Sequence, residues 1–340
     1  MKSFDVSRHV LSSCLAVAML AGCGGSQPPI GAGAIPESRA IPTHADRGRS
    51  WMLPEAKSED VLYLSDSGGN AVEIYTYPAG VLVGSLTGLN DPQGACTDRK
   101  QNVWIANGGT KQLVEYKHGG TSPIATLSDP SKYPPFACAV DPTTGNLAAT
   151  ATIPPYGGNV VLIYANARGK PTHYAVAQVH HLAYDGYDEA GNLFVDGLNG
   201  SCCRRRHPVA PAFAELPKGG ASFEAIDLSG GAFYPRPGGV QWDGDHITVV
   251  NVNVVYRLQI SGSHGDVVGS TELKEPGSFF GSDVSPDAIA KGKIAAADYS
   301  YDSKAWNAGV WKYPRGGQPI LHLGGTFSGG FYGLAISLSK

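Results

Sequence analysis

One phrase recurs along the chain and constrains its fold more than any other feature. A short apolar run ends in Asp, a turn closes on Gly-Asn or a similar pair, and a second apolar run follows. It reads PQGACTD-RKQN-VWIA over 92–106, PFACAVD-PTTGN-LAAT over 135–150 and LAYDGYD-EAGN-LFVD over 182–196. Shorter or looser versions are GGVQWD-GDH-ITVV at 238–250 and SDVSPDAIAKGKIAAA at 282–297. The turn aspartates are Asp98, Asp141, Asp188, Asp243 and Asp287, spaced 43, 47, 55 and 44 residues apart.

Each phrase leads to a third run carrying an aromatic, such as AVEIYTYPAG, QLVEYKHGG, NVVLIYANARG, VVYRLQISG and GVWKYPRGG, with FAELPKGG in the same slot. A Gly turn then opens a fourth run, as in VLVGSL, SPIATL, SFEAIDL and PILHL. Four strands of about five residues in fixed order, repeating every 40–50 residues, are the unit of a β-propeller. Hairpins in a sandwich would not repeat a four-strand order. The first such strand, VLYLSD (61–66), fits a second slot, and YGLAISL (332–338) fits a first slot. The last strand is therefore expected to complete the first blade and close the ring, leaving no open edge. The count of first strands predicts an all-β, six-bladed β-propeller of four-stranded blades.

Composition agrees and excludes other classes. The 45 Gly and 24 Pro interrupt the chain too often for long helices after residue 40. Paired glycines such as Gly68-Gly69, Gly119-Gly120 and Gly316-Gly317 fall in the recurring turns. A net charge of −3 with no basic block argues against a nucleic-acid groove, and no nucleic-acid partner is expected.

The wording of the units resembles NHL-type six-bladed propellers of bacteria, in which Pro-x-Gly-(apolar)-x-x-Asp-x-x-Gly-Asn-(apolar)-Tyr-Val precedes each blade. The resemblance covers roughly residues 60–340. It implies the fold and leaves the task open, since such propellers host unrelated functions.

The N-terminus reads as an address. Lys2 and Arg8 precede an apolar run from Val10 to Gly22, too short to span a bilayer and suited to a secretory signal. Leu20-Ala21-Gly22-Cys23 resembles the lipobox of bacterial lipoproteins in all four positions. That implies cleavage before Cys23 and its acylation, which would anchor the chain stably by several acyl groups. The expected organisation is a signal peptide over 1–22, a lipidated Cys23 with a flexible tether over 23–55, and a propeller over 56–340. Trp51 and Met52 are expected to dock on the domain. The chain is expected to be exported and membrane-anchored, periplasm-facing or at the cell surface.

Loops from fourth to first strands share one face of such a propeller, and loops on a rigid scaffold carry function. Here they hold Tyr133, Phe136, His180, His181, Phe233, Tyr234, Arg236, Phe279, Phe280, Phe331 and Tyr332. Aromatics with one Arg and two His suit a ligand or partner patch. The competing reading is that the rings plug the channel top and pack between blades. Asp66, Asn107, Asp196, Asn251 and Asp298 end the second strands, and their recurrence reads as capping of the following turn.

Six-bladed lactonase and gluconolactonase-like enzymes, by resemblance, bind a divalent metal at the channel mouth. The corresponding positions here are Gln93, Phe136, Leu182, Val240, Ser282 and Leu334, with no acid among them. No metal and no cofactor are therefore expected. His180 or His181 remains a candidate general base, and adjacent strand residues point to opposite faces, so at most one faces the channel.

Cys96 and Cys138 lie in the first strands of successive units, one position apart in alignment and hence on opposite sheet faces. A cross-blade disulfide is expected, two small buried hydrophobes being the alternative. Cys202 and Cys203, beside Arg204, Arg205 and Arg206, read as a solvated insertion. The whole predicts a monomeric, non-catalytic binding module for an envelope protein, glycan or small molecule. An envelope hydrolase or lyase of the lactonase-like propeller type is the alternative.

Overall fold

The computed structural model describes residues 48–130, 133–151, 159–200, 209–274, 283–300, 305–323 and 330–340, with backbone alone at 283–287, 298–300, 305–307 and 331–332. The signal and lipid expectations, Cys23, Cys202, Cys203, Phe279, Phe280 and Ser282 lie outside these residues, as do the side chains of Asp298, Phe331 and Tyr332.

The fold is all-β, a propeller-like arrangement of small sheets. Strand β1 (Trp51–Met52) is followed by one helical turn, α1 (Glu55–Ser58), and then by β2 (Val61–Asp66), β3 (Ala71–Thr76) and β4 (Leu82–Leu86). Four-strand runs follow in chain order. They are β5 (Pro92–Thr97), β6 (Val103–Asn107), β7 (Gln112–Tyr116) and β8 (Pro123–Ser128); then β9 (Pro135–Val140), β10 (Leu147–Ala151), β11 (Val160–Tyr164) and β12 (Thr172–Ala175). Next come β13 (His181–Tyr187), β14 (Leu193–Leu198), β15 (Pro211–Leu216) and β16 (Glu224–Ser229). After them run β17 (Val240–Trp242), β18 (Ile247–Asn251), β19 (Val254–Ser261) and β20 (His264–Glu272). The chain ends through β21 (Asp283–Ala290), β22 (Lys293–Ser300), β23 (Ala305–Lys312), β24 (Leu321–Leu323) and β25 (Phe331–Ser337).

Strand β25 pairs antiparallel with β2, Val61 opposite Ser337, so the C-terminal strand completes the N-terminal sheet in the order β1-β4-β3-β2-β25. The repeat predicts six sheets, whereas the described residues form five. The reason is a contact at an outer edge: β16 and β20 pair in parallel, Asp227 opposite His264 and Ser229 opposite Asp266. This joins β13–β16 and β17–β20 into one eight-stranded sheet.

The repeating aspartates act where the first strands turn, with one correction: Asp287 lies within β21 opposite Ala296, and the turn there falls at Lys291-Gly292. Asp98 accepts the backbone N–H groups of Lys100 and Asn102, both at 2.8 Å. Asp141 accepts that of Thr143 at 2.7 Å, Asp188 that of Asn192 at 2.8 Å, and Asp243 that of His246 at 2.8 Å. Each carboxylate supplies acceptors that the turn's own backbone lacks. The phrase thus repeats because the turn repeats.

Second strands are buried along their whole length in β2, β6, β10, β14 and β18. Sheet faces covered on both sides explain why these segments read as unbroken apolar runs rather than alternating ones. Six buried apolar clusters lie among the described residues, each between consecutive four-strand runs. One joins Tyr63 and Ile74 to Val103 and Val114, the next Trp104 to Leu147 and Leu162, and the third Ala148 and Val161 to Leu182 and Val195. The fourth joins Phe194 and Phe213 to Ile247 and Val249, the fifth Val250 to Ile294 and Trp311, and the sixth Ala297 and Val310 back to Leu62 and Tyr75. Each fully buried large side chain contributes roughly 1.5–3 kcal/mol by leaving water.

Candidate functional site

Strands β5, β9, β13, β17, β21 and β25 converge on a central cavity of about 380 Å³. Each contributes lining residues, for example Ala95, Cys138, Asp185, Val240, Ala288 and Leu334. The cavity extends toward the first-to-second turns, since Pro142, Asp188, Glu189 and Leu338 also line it. A second space of about 40 Å³ lies among β5, β9, β13, β17 and β25 and shares Asp185 and Val240 with the first.

Asp185 is the unusual member. Register between β13 and β14 slips between Leu182 and Asp185, a bulge that re-aims the strand beside the axis. The residue is 5% exposed, and neither carboxyl oxygen has a hydrogen-bond partner among the described residues. Burial drives its pKa well above the usual carboxylate range, and the charge of Asp196 adds to this. Backbone N–H groups of Asp185 and Thr150 act the other way without closing a hydrogen bond. Tyr187, two residues on and also lining the cavity, has its hydroxyl pKa raised by burial and then by the charges of Asp185 and Asp141.

The cavity wall includes a covalent tie. Cys96 and Cys138 are bonded, S–S 2.17 Å with Cα atoms 5.7 Å apart, joining β5 to β9. Both line the cavity. Their placement in successive first strands follows from the repeat itself.

The fourth-to-first loops divide their aromatics between inside and outside. Tyr133 is half-buried edge-on to His173, ring centroids 5.9 Å apart. Phe136 is half-buried edge-on to Tyr184 at 5.4 Å, within the apolar cluster. Phe233 packs on Tyr256 at 4.7 Å. For these three rings the packing role expected as the alternative is the one the geometry displays. Tyr234 is 57% exposed, and Arg236, His180 and His181 are exposed too. Neither histidine is among the residues lining the described cavity.

Second-strand termini hold these loops. Asn251 Oδ1 accepts the Tyr234 N–H at 2.8 Å, and its amide donates to the carbonyls of Tyr234 at 2.9 Å and Arg236 at 2.8 Å. Asn107 Oδ1 likewise accepts the N–H of Asn90 at 2.7 Å. Asp196 accepts N–H groups from Tyr184 at 2.9 Å and Gly238 at 2.8 Å, tying two consecutive runs. Asp66 displays the expected bond to the following turn, at Gly69 N–H, 3.0 Å. For Asn107 the expectation of turn capping is corrected: its side chain makes no cap bond to the 108–110 turn and holds Asn90 of the incoming loop instead.

No protein-family model and no curated protein matches the sequence. Solved structures match by fold. A chain in a crystal structure of a nidogen/laminin complex gives a TM-score of 0.61 at 11% identity, covering 83% of this chain and 99% of that one. A protein of unknown function from Bacteroides caccae gives 0.54 at 13% identity, covering 82% and 99%. A functionally unknown protein from Desulfotomaculum acetoxidans gives 0.53 at 15% identity, covering 86% and 89%. The likeness is one of fold.

Asp185 escapes the sequence analysis, which finds no acid at the channel mouth. Its signal is an Asp in the interior of the LAYDGYD strand, where the pattern calls for an apolar residue. Among the described residues no group of three or more His, Cys, Asp or Glu side chains is placed to hold a metal ion.

Proposed function

We propose that the chain is an exported, lipid-anchored binding module of the cell envelope, built as a six-bladed propeller of NHL type. The eight-stranded sheet is read as two blades that touch at their outer strands. Six first strands around one cavity and six apolar clusters between consecutive runs support that count. The lipobox-like Leu20-Ala21-Gly22-Cys23 supports the anchor.

The ligand, an envelope protein, glycan or small molecule, docks on the fourth-to-first loops without being chemically changed. One observation carries this reading: Asn251 fixes the backbone on both sides of the exposed Tyr234 and at Arg236. An aromatic with two rotors and a planar cation, held on a rigid loop, lose little freedom on binding. The test is affinity capture from envelope extract with the wild type and with a Tyr234→Ala/Arg236→Ala double variant. Material held by the wild type is expected to be lost with the variant while its thermal unfolding is unchanged. Equal capture by both would move the site elsewhere. Replacing Cys23 by Ser is expected to shift the protein from the membrane to the soluble envelope fraction.

A further inference from the structure

Two spaces on the side of the first-to-second turns share a wall. The central cavity and a groove of about 470 Å³ between β13–β16 and β17–β20 are both lined by Asp188 and Trp242. Their charge is one-sided. Among the described residues, Asp185, Asp188 and Glu189 line the cavity together with no Lys, Arg or His. The groove adds Glu215, Glu224 and Asp245, with His246 and no Lys or Arg. Arg257 approaches from beside the groove, 2.7 Å from Asp243 and 3.4 Å from Asp245, so Asp245 is the partly neutralised member.

Glu215 feels two of its acidic neighbours. Burial, followed by the charges of Asp188 and Glu224, pushes the Glu215 carboxyl upward. At the inner end stands Asp185, buried, with neither oxygen in a closed hydrogen bond among the described residues. Desolvating a carboxyl without a partner costs free energy that a cationic ligand would recover.

We propose that the channel mouth and the adjoining groove form one binding site for a linear polyamine, whose ammonium groups meet the carboxylates and whose hydrocarbon links lie along Trp242. The carboxylates are spread over two neighbouring spaces that share Asp188 and Trp242, and among the described residues no three of them are placed to close on a single ion. Positive charges at intervals along a flexible chain match that spread. Trp242 lines both spaces, and an indole ring is a favourable neighbour for an ammonium group. The volumes suit a small molecule rather than a folded partner. This site lies on different loops from the one carrying Tyr234 and stands or falls separately.

The test titrates spermidine into the purified full chain by calorimetry at about 0.15 M salt. One saturable event is expected. Glu189→Gln and Glu215→Gln, both outside the apolar clusters, are each expected to weaken it roughly two- to fivefold, in line with partly exposed ion pairs. Asp185→Asn is expected to weaken it more than either, with circular dichroism unchanged. A Trp242→Leu variant should lose the fluorescence change on binding. Absence of saturable binding would overturn the proposal. So would equal affinity in the Glu189→Gln and Glu215→Gln variants, or displacement by Mg²⁺ at matched ionic strength, which would mark a diffuse counterion effect.

Discussion

Gly333 on β25 and Gly94 on β5 meet backbone to backbone beside the channel. A Cβ on Gly333 would stand 2.5 Å from the Gly94 Cα, and one on Gly94 would stand 2.6 Å from the Ala137 Cα. At these two glycines consecutive first strands therefore pack with no side chain between them. Gly333→Ala is expected to destabilise by about 1–3 kcal/mol, the usual cost of forcing atoms into a packed interior. A urea-unfolding midpoint equal to that of the wild type would contradict this close approach.

The Cys96–Cys138 bridge closes a segment with a sequence separation of 42. Loop-closure entropy of that length corresponds to about 4 kcal/mol of stabilisation. A Cys96→Ala/Cys138→Ala variant should unfold at markedly lower denaturant, and added reductant should lower the wild type toward it. Alkylation of both thiols in the non-reduced, denatured protein would show that the bridge is absent.

Asp185 gives stability a distinctive pH dependence. Its folded pKa is raised by burial, so the folded state holds a proton that the unfolded state releases. The group opposes folding increasingly as pH rises above its unfolded pKa of about 4 and through the folded value. Asp185→Asn should therefore raise Tm, with an advantage that grows as pH rises above about 4. A gain of the same size at every pH would assign the effect to something other than ionisation.

Much of the fold was legible because it rests on local chemistry repeated at a period. Asp98, Asp141, Asp188 and Asp243 cap the same turn in successive runs, so their spacing marks the repeat in the bare sequence. The pairing of β16 with β20 was not legible, since it joins two outer edges 37 residues apart without any residue-specific bond common to the other runs. The candidate site was read in part. Tyr234 and Arg236 are exposed as a loop reading expects, whereas Tyr133 and Phe136 turn inward to His173 and Tyr184. Loop sequence alone does not tell which way a ring points. The bulge that places Asp185 beside the axis is likewise a tertiary event.

Asp243 ties two runs together, accepting Arg257 Nε at 2.7 Å and the Tyr313 hydroxyl at 2.6 Å. Burial opposes its ionisation, but the bonds from Tyr313, His246, Asp245 and Arg257 prevail and hold its pKa below the usual value. That contribution is present above the unfolded pKa and lost as pH falls through the folded one. Tyr313→Phe should cost about 1.5–3 kcal/mol at pH 7, as for a hydrogen bond to a charged group, and less near pH 2. Equal losses at both pH values would place the cost in packing.

The two-residue strand β1 has a mechanical meaning. Trp51 and Met52 lie on the outer edge strand β4, opposite Ser85 and Gly84, while the ring itself is locked by β25 against β2 on the far side of the same sheet. A force applied through the residues ahead of Ser50 would meet this short pairing first and strip it strand-end first. The ring beyond it would remain shut, so β1 would yield before the folded body does.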